Sequence, residues 1–475
     1  MLPHALLASL AWAGIAAAAS SATPSTAADI SSWKTTHEDI TTLVPSLAPD
    51  HNSSDLSHLV PKQSGSVYFD GEPVSKASPG RLTALMEAEF TTSTVILDHS
   101  NHIGGVECVS DGLNVTFTSS AAFQHARNNW TSNTTFVAIT ANVTCGSAPA
   151  GQHTFWQVTG ANFANSSLSA QLEASETSID KVVGDANIKW GTAVPTIARR
   201  SDSHEVTFDL HPNATVNSKY WGLAYEIIQE VFNDPVDISC VNCTVSGSAN
   251  IDGEFGLSFN GGFLKSGMVT LSGGLSSSFY LGLVGDLDVS YTYTDTIMSV
   301  GLPGFSIWNV ITVGPVIAQK FSISLDADLN GQLLVGTTGE IPTFSATLDF
   351  YDPTNSSVTG WDPGFTDTNF TANGTITGEV VFGLPLSIGI GIDVPLLDFS
   401  KLLAVVNEPY VNNTVQYANG VANGTCNNGL DYQVALGDEV SLNVLDITTL
   451  SLWKDRAPPI VQGCYLLSSD NSTMR

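Results

Sequence analysis

Beyond His211 the sequence has no histidine; all ten lie between His4 and His211. A Ser-His-Asp triad or a histidine-bearing metal site confined to the C-terminal half is therefore excluded. Cations are scarce too, with 16 Lys and Arg against 45 Asp and Glu and a formal net charge of −29. Nucleic acid and anionic lipid both require basic patches, so neither is an expected partner. The negative charge keeps the chain soluble and suits an acidic environment, where part of the self-repulsion is titrated away. No G-x-S-x-G elbow, P-loop or H-E-x-x-H string occurs, which disfavours the enzymes built on them. No cofactor and no metal are expected.

Long apolar runs are missing after the first twenty residues. Ala5 to Ala19 is almost unbroken apolar sequence and ends in Ala17, Ala18 and Ala19 before Ser20. It reads as a signal peptide cleaved near Ala19, although its start lacks Lys or Arg. The run is too short to span a bilayer. The longest later one, Val380 to Leu397, is interrupted by Pro385, Asp393 and Pro395 and reads as strand. A secreted protein is expected, extracellular or at the cell wall, with no membrane span. From the polar stretch through Asp470, Asn471 and Arg475 no lipid anchor is expected.

Six cysteines, all after the signal segment, form an even set in an exported chain, which favours disulfides over metal or redox roles. Cysteines in separate modules rarely meet. The expected bridges are Cys108 with Cys145, and Cys240 and Cys243 bonded separately to Cys426 and Cys464. Fourteen Asn-x-Ser/Thr sites are spread along the chain: Asn52, Asn114, Asn129, Asn133, Asn142, Asn165, Asn213, Asn242, Asn355, Asn369, Asn373, Asn412, Asn423 and Asn471. Their number points to a glycosylated surface. Asn242, directly before Cys243, and the terminal Asn471 are not counted among the expected acceptors.

Residues 20–65 are rich in Ser, Thr, Ala, Pro and His, bury little apolar surface and read as a flexible leader. Residues 66–190 read as a small α+β module. It has strands at Val106–Cys108, Leu113–Phe117, Phe136–Thr140 and Phe155–Val158, and a short helix over Ala121–Trp130. Residues 191–205 read as a linker, and its Arg199-Arg200 pair is an expected cleavage site for kexin-type processing proteases. Cleavage there is expected to release two separable pieces. Trp221, Ala224, Tyr225, Ile228, Val231 and Phe232 fall at helical spacing, so Ser218–Phe232 reads as a helix ended by Asp234-Pro235.

From Thr244 the period is 2. Ala249, Ile251, Phe255, Leu257 and Phe259 face one way, and the alternation recurs at intervals as far as Val440, Leu442 and Val444. Residues 206–466 therefore read as a large antiparallel β-sandwich or open curled barrel, followed by a tail at 467–475. The fold class is mainly β.

Several residue sets resemble chemical motifs. Asp98, His99 and His102 are metal-ligating residue types on a turn-like segment, better read as a polar turn. Asp326-x-Asp328-x-Asn330-Gly331 matches half a calcium loop, but Thr337 stands where a bidentate Glu is required, and the segment reads as the wet face of a strand. Cys240-x-x-Cys243 has zinc-ribbon spacing without a second pair. Glu226 and Glu230, one helical turn apart, would suit two-carboxylate glycoside hydrolysis, yet nothing selects them from the other acids.

The order of Val106-Glu107-Cys108, Phe123, Ala126, Trp130 and Cys145 in the first module resembles a family of fungal secreted proteins. So does the order of Cys240-x-x-Cys243, Gly301-Leu302-Pro303-Gly304-Phe305, Gly383-Leu384-Pro385, Cys426-Asn427-Asn428-Gly429 and Gly463-Cys464 in the second. That family is built from two domains of unknown function in tandem, and the resemblance brings no activity and no site residues. The expected function is a structural, adhesive or binding role, with a cell-wall glycan or an apolar small molecule as partner. The alternatives are a two-carboxylate hydrolase, or a carrier holding an apolar ligand against Phe255, Leu257, Phe279 and Leu281.

Overall fold

Alternating apolar and polar residues become strand after strand in the computed structural model. It describes residues 40–71, 83–131, 135–141, 146–191, 205–210, 216–218, 222–231, 234–301, 304–308, 310–361, 364–418, 429–444, 448–456 and 461–466. The N-terminal half contributes β1 (Ile40–Ser46), β2 (Lys62–Asp70), β3 (Thr83–Ile96), β4 (Ile103–Val109), β5 (Gly112–Phe117), β6 (Phe136–Thr140), β7 (Thr154–Ala164), β8 (Ser169–Thr177) and β9 (Val183–Trp190). The expected helix is present as α1 (Ser120–Asn129). Ser119 caps it by accepting from the Ala122 amide at 3.2 Å, and Ala122, Phe123 and Ala126 are buried. Trp130 follows, fully buried, and its indole N–H donates to the Leu59 carbonyl at 2.7 Å. A second, four-residue helix, α2 (Ile179–Val182), precedes β9.

The expected leader is corrected from residue 40 onward. Leu43 and Leu59 are fully buried. β1 pairs antiparallel with β2 and parallel with β16 (Gly304–Ile307), Ile40 opposite Gly304 and Leu43 opposite Ile307. A strand added to an existing edge takes its hydrogen bonds and its burial from its neighbours, so a polar composition does not keep it disordered.

The C-terminal half contributes β10 (Glu205–Leu210), β11 (Val216–Ser218), β12 (Gly222–Val231), β13 (Asp234–Cys240), β14 (Thr244–Ser258), β15 (Phe263–Gly301), β16, β17 (Ile311–Asp349) and β18 (Ser357–Thr359). β19 (Gly364–Gly383), β20 (Leu386–Val394), β21 (Phe399–Ala418), β22 (Gly429–Val444), β23 (Thr448–Arg456) and β24 (Val461–Leu466) complete it. The expected helix over Ser218–Phe232 is instead β12, paired antiparallel with β13. The register shifts between Glu226 and Ile228 and again between Ile228 and Glu230. The first leaves an extra residue on β12 and the second leaves one on β13; the extra residue on β12 breaks the strict alternation of two by which a strand is recognised. Glu226 and Glu230 are thus strand residues, not neighbours on a helix.

The strands join in one large mixed sheet. β15 and β17 are 39 residues each and pair along nearly their whole length, with register shifts at Gly273/Leu275 and Thr296/Met298 that bend the hairpin. One apolar core collects Leu43, Phe69 and Trp190 with Phe255, Phe279, Phe321, Phe382, Ile390 and Leu442. A single sheet fills one core from so many strands only by folding over on itself. Phe255, Leu257, Phe279 and Leu281, expected to line a ligand cavity, are 0–1 % exposed within this packed core. A second core beneath α1 holds Leu59, Phe117, Phe123, Trp130 and Phe136. Among the described residues no helix is long and apolar enough to cross a membrane.

The two halves are continuous. β9 pairs with β14 from Trp190 opposite Gly253 to Asp185 opposite Ser258. The Trp190 ring lies 5.1 Å from that of Phe305, and its indole packs where a Cβ on Gly253 would sit 2.8 Å away. The sheet thus runs through the expected boundary; residues 192–204, including Arg199 and Arg200, lie outside the described residues.

Candidate functional site

Where the halves meet, the ends of several strands leave a cleft of about 330 Å³. Its apolar wall comes from Phe69 on β2, Met86 on β3, Phe155 on β7 and Ile179 on α2, and from Ile307, Trp308 and Val310 of the C-terminal half. Its polar wall comes from the turn before β7 and the end of β8. Gln152 and His153 are buried there, while Glu176 and Lys181 stand exposed at the rim.

Hydrogen bonds hold the polar wall rigid. Gln152 Nε2 donates to the Leu43 carbonyl at 3.0 Å, and Thr154 Oγ1 donates to the Thr140 carbonyl at 3.0 Å. Glu176 Oε1 accepts from the Ser147 amide at 2.7 Å and from its hydroxyl at 2.8 Å. His153 Nε2 lies 3.5 Å from Asp98 Oδ2, and Asp98 also accepts from Thr140 Oγ1 at 2.9 Å and the Ala141 amide at 2.6 Å. Burial pushes the Asp98 carboxyl up, but the hydrogen bond and charge of His153, with the bonds from Ala141 and Thr140, outweigh it and hold the group below its ordinary range. Glu176 is the cleft's one carboxylate among the described residues, whereas glycoside hydrolysis requires two. An apolar wall facing a few fixed polar groups is the arrangement of a small-molecule binding site.

The expected Asp98, His99 and His102 group is not assembled. Asp98 serves the turn just described, and His102 Nε2 lies 3.0 Å from the Ser54 carbonyl. His99 instead meets His51 and His58, with ring centroids 4.9 and 6.1 Å away. Sequence reasoning missed these two because they lie in the stretch read as leader. Burial foremost, with the charges of His51, His153 and His58, lowers the His99 pKa to about 4. Burial and His51 lower that of His58.

The calcium-loop match is strand, as expected, with Asp326 and Asn330 exposed on β17 and Asn330 Nδ2 donating to Asp286 at 3.1 Å. Cys240 and Cys243 are bonded to each other, which corrects the expectation that each reaches Cys426 or Cys464. Cys240 ends β13 and Cys243 is the last of the three residues that lead into β14; both strands run along β15, and the Val241 amide donates to the Tyr280 carbonyl at 2.7 Å to hold that step in place. Two residues that close in sequence, at a turn inside one sheet, meet more readily than either meets a distant strand. Cys108 and Cys464 each take part in a disulfide; Cys145 and Cys426 lie outside the described residues.

Among the sequons, Asn52, Asn165 and Asn355 are exposed, and Asn114 and Asn129 are partly so. Asn369 and Asn373 lie on β19. Asn412, also among the expected acceptors, is 9 % exposed on β21 between β19 and β22, and its Nδ2 donates to Glu379 at 2.6 Å. Asn133, Asn142, Asn213 and Asn423 lie outside the described residues.

Fold and cleft together define a mainly β protein of two sheet-sharing halves. Residues 87–187 match the model of a domain of unknown function (DUF7029), and residues 226–447 match that of a second domain of unknown function (DUF7223). The chain carries the two in tandem. No curated protein and no solved structure matches it.

Proposed function

We propose that this is a secreted, N-glycosylated protein of fungal type with a binding role outside the cell or at its wall, and that the junction cleft receives its ligand. The cleft is the observation that carries this reading. Its walls come from both halves, its volume of about 330 Å³ suits a small molecule, and its apolar side faces fixed polar groups. The ligand class is amphipathic. A ring or short chain packs against Phe69, Ile179 and Trp308, and a polar end reaches Glu176 or Lys181. The apolar first nineteen residues, the exposed sequons and the disulfides support export.

The test is a screen of the purified secreted protein against cell-wall glycans and a panel of lipids and aromatic small molecules, followed by titration of any ligand found. Trp308→Ala and Lys181→Ala should each weaken binding about tenfold, the loss of roughly 1.4 kcal/mol. A ligand whose affinity neither substitution changes places the binding site elsewhere and ends this reading.

A further inference from the structure

We propose that His51, His58 and His99 form a site for a nitrogen-preferring divalent metal ion of the Zn²⁺ or Cu²⁺ class. One ring nitrogen from each lies within 4.8 Å of the others. His51 follows β1, while His58 and His99 sit on single-turn 3-10 helices, Leu56–Leu59 and Leu97–His99. The rings line a cleft of about 160 Å³ that is separate from the junction cleft.

Two loops whose paired residues lie 48 apart in sequence are stitched into one support. The Asn101 amide donates to the Ser53 carbonyl at 3.0 Å, and His102 reaches Ser54. Asp55 caps the first turn by accepting from the Ser57 amide at 2.8 Å. Behind it, buried Leu59 is tied to Trp130.

The second observation concerns the hydrogens. His51 Nε2 lies 2.7 Å from the His99 carbonyl, and His58 Nε2 lies 3.1 Å from the Asn52 carbonyl. A carbonyl only accepts, so each Nε2 carries its hydrogen, and in the neutral ring the lone pair is left on Nδ1. A backbone carbonyl that takes one ring N–H fixes the tautomer and leaves the other nitrogen available to a metal, as in metal-bound imidazoles. Lys62 lines the same cleft and no carboxylate does among the described residues. The donor set is therefore neutral nitrogen, which suits Zn²⁺ and Cu²⁺ and not the oxygen-seeking Ca²⁺ or Mg²⁺. Bonds of about 2.0–2.1 Å require the three nitrogens to close in by roughly an ångström, and three ligands leave a coordination position for water.

The test uses the full secreted protein after removal of metal by chelation. Titration with Zn²⁺ followed by calorimetry should show one saturable equivalent. His51→Gln, His58→Gln and His99→Gln, checked for folding by circular dichroism, should each weaken it by at least about tenfold, since a ligand matters no less than its supporting shell. X-ray absorption of the Zn²⁺-loaded wild type provides a measurement that needs no variant, and three imidazoles in the first coordination sphere are expected. The assignment is overturned by absence of saturable binding, by a folded His58→Gln that binds as wild type does, or by a spectrum showing fewer than three imidazoles.

Discussion

Glu408 is an acid placed where its charge is disfavoured. It stands opposite Glu439 across β21 and β22, half-buried, with Ser322 Oγ donating to it at 3.3 Å, while Lys454 is drawn to Glu439 at 2.6 Å. Burial first, and then the Glu439 charge, raise its pKa above the ordinary 4.5. A carboxyl whose folded pKa exceeds its unfolded one contributes stability that is fully present below about pH 4.5 and lost as pH rises through the folded value. Glu408→Gln should therefore stabilise the protein at pH 7 by about 0.5–2 kcal/mol and have no such effect at pH 4. Urea unfolding at the two pH values measures both. Asn412 supplies another residue-level outcome: glycopeptide mapping of secreted protein should find glycan on Asn165 and Asn355 and none on Asn412. In both cases residue type alone was uninformative, because an acid or a sequon looks the same in sequence whichever face of a strand carries it. The histidines failed differently. His99 has the type of a metal ligand, but its partners lie 41 and 48 residues upstream, in a polar stretch whose composition reads as disorder.

Period-2 alternation made most strands legible, from Leu113–Phe117 to Val440–Val444, because one face of each is buried. It failed at β12, where an extra residue between Glu226 and Ile228 breaks the alternation, and at β1, whose seven residues are mostly half-exposed and ordered by their neighbours. The Cys240–Cys243 bridge was not legible because cysteine spacing alone does not say which pairs bond. Proteolytic mapping without reduction should place Cys240 and Cys243 in one internally bridged peptide. The β9–β14 seam rests on Trp190, 1 % exposed and packed on Phe305 and Gly253. Trp190→Ala should cost about 3–5 kcal/mol by leaving a cavity. Gly253→Ala should cost about 1–3 kcal/mol by forcing the indole aside. Denaturant midpoints order the two.

At the scale of the whole molecule, the division into two halves was legible and their union was not. A lapse in the strand pattern marks the boundary at residues 191–205, yet β9 and β1 both pair with strands of the C-terminal half, and sequence patterns do not reveal which strands pair at long range. The pairing of β9 with β14 and of β1 with β16 opposes the expectation that cleavage after Arg200 yields separable pieces. Protein cut there should show two fragments on a denaturing gel and a single particle on size exclusion until denaturant is added. Separation in plain buffer would show that the seam is weak.

The pairing of β1 with β16 sets an order of events during synthesis. Thr42 and Ser306, whose hydroxyls lie 3.1 Å apart, are separated by 264 residues. At about 5–20 residues per second, β1 leaves the ribosome roughly 13–50 s before its partner exists. Throughout that interval a bare strand edge is exposed to whatever else is in the compartment. Completion of the N-terminal half is therefore among the last steps of folding, and a chain stalled before residue 304 leaves this edge open to chaperones and to other unfinished copies.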